Sequence, residues 1–239
     1  MIDAAIVLGV LKMGYIYETH CHTSQTSKCG SITGADLAAF YKSAGYTGIV
    51  VTDHFLNGNT TVPRDLPWDE RVELFAEGYR DAKKKGGEIG LDVFFGWEFS
   101  AGGGTDFVTL GLDLDWLHAH PDCDKLHIND YADLVHECGG YVIHAHPFRE
   151  ANYIPMIRLV PRKVDAVEIN ACRTEFENRL ALQYAENYGL PLSYGSDNHC
   201  GPLKQLAQVV VESRIMSTAE LGEAIANRRI SGELKAYVN

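Results

Sequence analysis

Short apolar runs rich in β-branched and aromatic residues alternate along this chain with stretches whose apolar positions recur at helical spacing. The first run, residues 15–19, predicts a strand that ends in His20-Cys21-His22. A Ser/Thr/Gly-rich loop follows, and Thr33 with Asp36 opens a helix through Leu37, Phe40 and Tyr41 to Gly45. Residues 46–51 form a continuous apolar run of the buried parallel type, with Asp53-His54 at its end. Trp68, Val72, Phe75, Tyr79 and Ala82 then predict a helix stopped by Gly86-Gly87. A third strand over 91–97 delivers Glu98, a Gly102-Gly103-Gly104 loop follows, and 106–111 read as a fourth strand.

The second half keeps the alternation. A helix over 128–138 with Leu134 and Val135 inward leads through Gly139-Gly140 into a fifth strand, 141–145, carrying His144 and His146. A sixth strand, 164–170, places Glu168 near its end. Thr174 and Glu177 make a capping box for a helix closed by Gly189. The seventh strand begins at Leu192 and stops at Gly195-Ser196, presenting Asp197 and His199 two residues apart. A further strand over 208–211 and a helix capped by Ser217 and Glu220 complete the pattern, while residues 230–238 fit either element.

Strands alternating with helices specify a parallel sheet, whose ligand sites lie at the carboxyl ends of the strands. Here strand after strand ends in a residue able to bind a metal: His20 and His22, Asp53 and His54, Glu98, His144 and His146, Glu168, then Asp197 and His199. A lone histidine is more often a hydrogen-bonded structural residue. Six of the chain's 10 histidines at strand ends, with carboxylates among them, point instead to a metal centre. His118, His120, His127 and His136 fall between the fourth and fifth strands and read as structural. Asp53 and Glu168 read either as ligands or as acceptors orienting a ligand imidazole. Cys21 and Cys200 sit beside candidate ligands, but nothing in the sequence supplies a nucleophilic cysteine with a base and an oxyanion pocket.

Composition narrows the partners. At 239 residues, without internal repeat or linker, the chain suits one α/β barrel domain over residues 1–239, with 1–12 as an N-terminal extension because Met13 offers an alternative start. Net charge is -11 and no basic run exceeds Lys83-Lys84-Lys85, so duplex nucleic acid is not expected as a partner. Residues 4–11 are apolar but too short to span a bilayer, and the acidic Asp3 argues against a signal peptide. No membrane association is expected. Six scattered cysteines without a C-x-x-C pair suit a reducing cytoplasm.

In combination, His20-Cys21-His22, Thr52-Asp53-His54, Glu98, His144-Ala145-His146-Pro147 and Gly195-Ser196-Asp197-Asn198-His199 resemble the polymerase and histidinol phosphatase (PHP) domain family over nearly the whole chain. The resemblance implies a distorted seven-stranded, TIM-like (β/α)7 barrel with two or three divalent metal ions (zinc, manganese or iron) that hydrolyses phosphate esters. By position it implies that His20, His22, Glu98 and Asp197 hold a first ion. Glu98 would bridge to a second on His146, and His54 and His199 would hold a third. Two places depart from the pattern. The expected third-ion partner in the first loop is replaced by Ser27-Lys28-Cys29, leaving a Cys29 thiolate or Asp53 to balance the charge. Near the fourth strand only Asp106 and Thr109 stand where a histidine is common, so His144 either fills that place or orients its neighbour.

The activity implied is hydrolysis of a phosphomonoester or phosphodiester of a small phosphorylated substrate by a metal-bound hydroxide, with Glu98 and Asp197 in catalytic roles. Arg149, directly after His146-Pro147-Phe148, is the expected phosphate-binding cation, and Arg173 is the second. The same barrel chemistry serves hydrolysis of C–N or lactone bonds, and a metal-stabilised module without hydrolytic role is the third alternative. Arginines in the pocket favour phosphate; their absence favours carbonyl substrates.

Overall fold

The computed structural model describes residues 14–237. The apolar run 4–11, Met13 as a start, Asp3 and the last residue of the ambiguous tail, Val238, lie outside them.

Ten strands fall into two five-stranded sheets among the described residues. The first contains β1 (Tyr15–Cys21), β2 (Gly48–Val51), β3 (Asp92–Phe95), β9 (Gln205–Val211) and β10 (Ser231–Ala236), in the order β10-β9-β1-β2-β3. The second contains β4 (Trp97–Ser100), β5 (Asp106–Leu110), β6 (Tyr141–Ala145), β7 (Ala166–Asn170) and β8 (Leu192–Gly195), paired in sequence order. Within them β1-β2-β3 and β6-β7-β8 run parallel, as continuous apolar runs require. The pairs β4-β5, β5-β6, β1-β9 and β9-β10 are antiparallel.

The seven-stranded barrel expected from the sequence is not formed as a closed hydrogen-bonded ladder. One expected strand, 91–97, divides at Gly96, where the chain leaves the edge of one sheet for the edge of the other. A side chain at Gly96 would lie 2.9 Å from the Thr109 carbonyl oxygen and 3.0 Å from Val50, so the crossing admits none without a shift. The sheets meet through isolated bridges at the carboxyl ends of strands, Cys21 to Asn198 and His54 to Glu98. Backbone bonds from His22 N to Asn198 O (2.8 Å) and Phe55 N to Glu98 O (2.8 Å) reinforce these seams. The seams are therefore made of the same residues that carry the candidate ligands.

Helices cover the sheets where the periodicity places them. Thr33 caps α1 (Gly34–Ser43) by accepting from Asp36 N. The segment expected to end at Gly86-Gly87 is instead two helices, α2 (Trp68–Phe75) and α3 (Glu77–Ile89), closed by Gly90 at φ 70°. Gly86 lies inside α3 because it packs against Leu91 and Val93, so its missing side chain serves packing and not termination. A short helix, α4 (Leu114–Ala119), had no expected counterpart; Asp113 caps it. His127 caps α5 (Ile128–Glu137), α6 (Glu175–Tyr188) has the expected Thr174/Glu177 box and Gly189 cap, and Ser217 caps α7 (Thr218–Ala226). The largest core cluster gathers Phe55, Phe75, Trp97, Phe99, Phe107 and Tyr131, fixing the platform behind β4 and β5. No helix among the described residues is long and apolar enough to cross a membrane.

Candidate metal centre

At the end of β1 the pairing with β2 slips between Glu18 and Cys21, which frees backbone N–H groups just before the two histidines. The fully buried Glu18 accepts them, from Thr19 N at 3.0 Å and His20 N at 2.9 Å, together with Ser196 N at 2.9 Å and the hydroxyls of Ser196 and Tyr41. One carboxylate thus fastens the His20 loop to the residue preceding Asp197. Burial raises its pKa to about 7 against these hydrogen bonds. Glu18 was not singled out from the sequence, although a carboxylate in a strand otherwise apolar at its neck was the available signal.

Two imidazoles and two carboxylates converge beyond this fastening. His20 Nε2 lies 3.5 Å from Glu98 Oε1 and 3.7 Å from Asp197 Oδ1. His22 Nε2 lies 3.7 Å from Glu98 Oε2 and 3.3 Å from Asp197 Oδ1. Two ligands about 2.1 Å from one tetrahedral ion stand about 3.4 Å apart, so these separations fit a shared cation. His20 Nε2 and His22 Nε2 are wholly buried and have no hydrogen-bond partner among the described residues. Buried polar nitrogens left without partners are costly, and a cation between them removes that cost.

The other ring nitrogens are committed, which sets the tautomers. His20 Nδ1 meets Glu168 Oε1 at 2.7 Å, and His22 Nδ1 meets Ser27 Oγ at 3.1 Å. Ser27 in turn donates to Asp53 Oδ1 at 2.7 Å and accepts from His54 N at 3.0 Å. Asp53 also takes Thr23 N and Oγ1 at 2.6 and 2.7 Å. Both of these carboxylates accept hydrogen bonds from groups around the candidate ligands, and ligand atoms of Glu168, His20 and His146 also lie within 4.8 Å of one another. Glu168 additionally accepts from His146 N at 2.9 Å and Asn170 Nδ2 at 2.8 Å. A side chain at Gly195 would collide with Glu168 and His20, so only glycine lets β8 approach this closely.

A second grouping shares Glu98. His146 Nε2 is 3.0 Å from Glu98 Oε1, and ligand atoms of Glu98, Asp106 and His146 lie within 4.8 Å of one another. Asp106 is the ligand-type residue whose role the sequence left open; it opens β5 directly after the glycine loop. Among the described residues His144 joins no such grouping, correcting its expected place among the ligands. Residues two apart share a face only within a regular strand. β6 ends at Ala145, and His146 takes φ 29°, so its ring turns into the cluster while His144 stays on the other side. There it stacks on Phe107 at 4.7 Å and meets Tyr184 edge-on, and burial pushes its pKa down to about 3. Asp197, at φ 53°, is likewise held in the left-handed region.

Ligand atoms of His22, His54 and His199 form a third grouping within 4.8 Å. His199 Nδ1 faces the Asp197 carbonyl at 2.9 Å, and His54 Nδ1 faces Glu98 Oε2 at 2.5 Å. Cys29 Sγ stands 3.1 Å from His54 Nε2. Burial opposes charge throughout, yet the imidazoles hold Glu98 and Asp197 well below the usual carboxylate range, and Glu98 with Cys29 lifts His54 to about 11. Burial, with His199 and His54 beside it, keeps His22 well below its ordinary value and so neutral.

The cluster opens into a cleft of about 620 Å³ lined by Arg149, Arg173, Asp106, Asp197, His54 and His199 among others. Arg149 Nη2 donates to Asp106 Oδ2 at 3.1 Å and Arg173 Nη2 to Asp197 Oδ2 at 3.5 Å. Both arginines expected from the sequence are thus brought to the centre. A larger cleft, about 760 Å³ between β9 and α7, lacks such chemistry: its Arg214 and Arg229 are paired with Asp92 and Glu223. His118 and His136 are hydrogen-bonded to Asp69 and Asp165, in keeping with structural roles.

No protein-family model and no curated protein matches the chain. Solved structures do. A two-domain protein from Bacteroides vulgatus ATCC 8482, described as containing a predicted PHP-like metal-dependent phosphoesterase, superposes with a TM-score of 0.64 at 15% identity over 93% of this chain. This chain spans 65% of that protein's length. PsfC from Pseudomonas syringae PB-5123 gives a TM-score of 0.61 at 17% identity, over 92% of this chain and 91% of PsfC. Endonuclease Q, in complex with a 27-mer duplex substrate with an abasic lesion at the active site, gives 0.55 at 12% identity, over 90% of this chain and 57% of that one. The chain has the PHP-type fold. The last likeness overturns the expectation that set duplex nucleic acid aside and limited partners to small molecules: a structural neighbour of this chain, Endonuclease Q, is in complex with a DNA duplex.

Proposed function

We propose that this chain is a metal-dependent phosphoesterase in which His20, His22, Glu98 and Asp197 hold one divalent ion and Glu98, His146 and Asp106 a second. The observation that carries this reading is the conjunction of wholly buried, unpartnered His20 and His22 nitrogens with two arginines at the mouth of the same cleft. Divalent ions held by such ligands supply Lewis acidity toward a phosphoryl oxygen and lower the pKa of a water molecule. The chain's own groups do the rest. Glu168 and the Asp53-Ser27 pair aim the imidazoles, so little reorganisation is left for the reaction. Arg149 and Arg173 offer guanidinium groups to a phosphate, and their present partners, Asp106 and Asp197, sit on the ligand side of the cleft. Arginines at this position favour phosphate over carbonyl substrates, because a tetrahedral dianion gains from paired cationic donors as a neutral amide does not.

The test is hydrolysis of chromogenic mono- and diesters, read as release of the chromophore, and strand cleavage of lesion-containing DNA, with manganese or zinc added to chelator-treated protein. Metal-dependent hydrolysis that Glu98→Gln abolishes in a folded protein is expected, since an amide does not bridge two cations as a carboxylate does. Hydrolysis unaffected by chelation or by Glu98→Gln would overturn the reading.

A further inference from the structure

The first loop offers two groups that could balance the charge of a third ion, Asp53 and Cys29, and the structure separates them. Both Asp53 oxygens are spent on Thr23 and Ser27, behind the ligands and away from the cleft. Ser27 is spent on Asp53, His22 and His54. Cys29, by contrast, lines the cleft with its sulfur 3.1 Å from His54 Nε2. Sulfur and nitrogen on one tetrahedral zinc, at about 2.3 and 2.0 Å, stand about 3.5 Å apart, so a small opening of this contact admits the ion. The imidazoles supply an independent pointer: ring nitrogens of His54 and His199 lie within 4.8 Å of each other and of a nitrogen of His22, whose Nε2 is given to the first ion, and both His54 and His199 line the cleft beside Cys29. The His22 ring stacks on that of His199 at 4.0 Å, so the imidazoles form one wall of the position.

We propose that Cys29 is a thiolate ligand, joining His54 and His199 in a sulfur-nitrogen site for a soft divalent ion at the cleft side of the centre. The inference rests on the cluster being a metal centre and deepens that reading. It makes the centre chemically uneven. Carboxylate-rich positions around Glu98 accept hard or borderline ions, whereas thiolate with imidazole selects zinc-like ions. The proton held between Cys29 Sγ and His54 Nε2 leaves to solvent as both atoms bind the ion, so binding at this position releases one proton and needs no redox partner.

Cobalt(II) titration of chelator-treated, full-length protein is the test, because cobalt absorbs in the visible wherever it is bound and adds a near-ultraviolet charge-transfer band only with thiolate. Wild type is expected to show both signatures. Cys29→Ser is expected to lose the charge-transfer band, keep visible absorption from the other positions, and bind one equivalent less zinc by elemental analysis. Cys172→Ser and Cys200→Ser, whose thiols line the same cleft, are expected to keep the band. X-ray absorption of the zinc-loaded wild type, expected to show a sulfur neighbour at about 2.3 Å, answers the question even if Cys29→Ser fails to fold. Visible absorption without a thiolate band, or a band that survives Cys29→Ser, would overturn the role of Cys29 alone. Absence of all cobalt absorption would overturn the metal centre itself.

Discussion

His20 and Glu168 are joined by a 2.7 Å hydrogen bond, Nδ1 to Oε1, in a site wholly closed to solvent. The bond fixes the tautomer that leaves Nε2 bare on the side of Glu98 and Asp197. Glu168→Gln should therefore weaken metal binding about 10- to 100-fold without emptying the site of ligands. Competition against a chromophoric chelator measures this, and unchanged affinity would reduce Glu168 to a fastener of His146 N and Asn170.

Arg149 reaches the cleft while pairing with Asp106. If its guanidinium also meets the substrate, Arg149→Ala removes a charge-assisted hydrogen bond of about 1.5–3 kcal/mol, roughly 10- to 150-fold in kcat/KM, expressed in KM. Steady-state kinetics with any phosphate ester turned over by the wild type decides this. Unchanged KM with a lowered melting temperature would leave Arg149 as a partner of Asp106 only.

Away from the centre, His136 Nε2 and Asp165 Oδ2 lie 2.9 Å apart, and this hydrogen bond raises the histidine pKa, with Asp133 adding to the shift and Lys163 opposing it. A raised folded-state value means the imidazolium stabilises the fold fully below its unfolded value of about 6.5, and the gain disappears as pH rises through the elevated value. The pair is partly exposed, so the effect stays below about 1 kcal/mol. Melting temperatures should show wild type ahead of His136→Gln near pH 5 and level with it in alkaline buffer; a gap that widens with pH would contradict the assignment.

Which parts of this centre could be read beforehand follows from how far a strand stays regular. His20, His22 and Asp197 stand at or just beyond the ends of apolar runs that the sequence marks, whereas Glu98, expected to follow a strand end, lies inside β4 because the run divides at Gly96. His144 was misplaced because spacing assumes that residues two apart share a face, and His146 breaks that rule with its left-handed backbone. Asp106 was left without a role because β5 runs antiparallel and so presents its first residue, not its last, to the ligand end. Glu18 stood out only as a carboxylate in a strand, and its role did not, because it takes backbone N–H groups freed by a slip in strand register together with the distant Ser196 and Tyr41, which no local pattern encodes. The division of one apolar run into β3 and β4 hinges on Gly96, whose close neighbours come from β2 and β5.

The most direct measurement is anomalous diffraction at the zinc and manganese edges from crystals grown with those ions and without chelator. Peaks are expected among His20, His22, Glu98 and Asp197, and among Glu98, His146 and Asp106, at about 2.0–2.2 Å from their ligand atoms. A cluster that stays free of anomalous signal at saturating metal, with the unpartnered imidazole nitrogens facing water instead, would contradict the reading of this chain as a metal-dependent phosphoesterase.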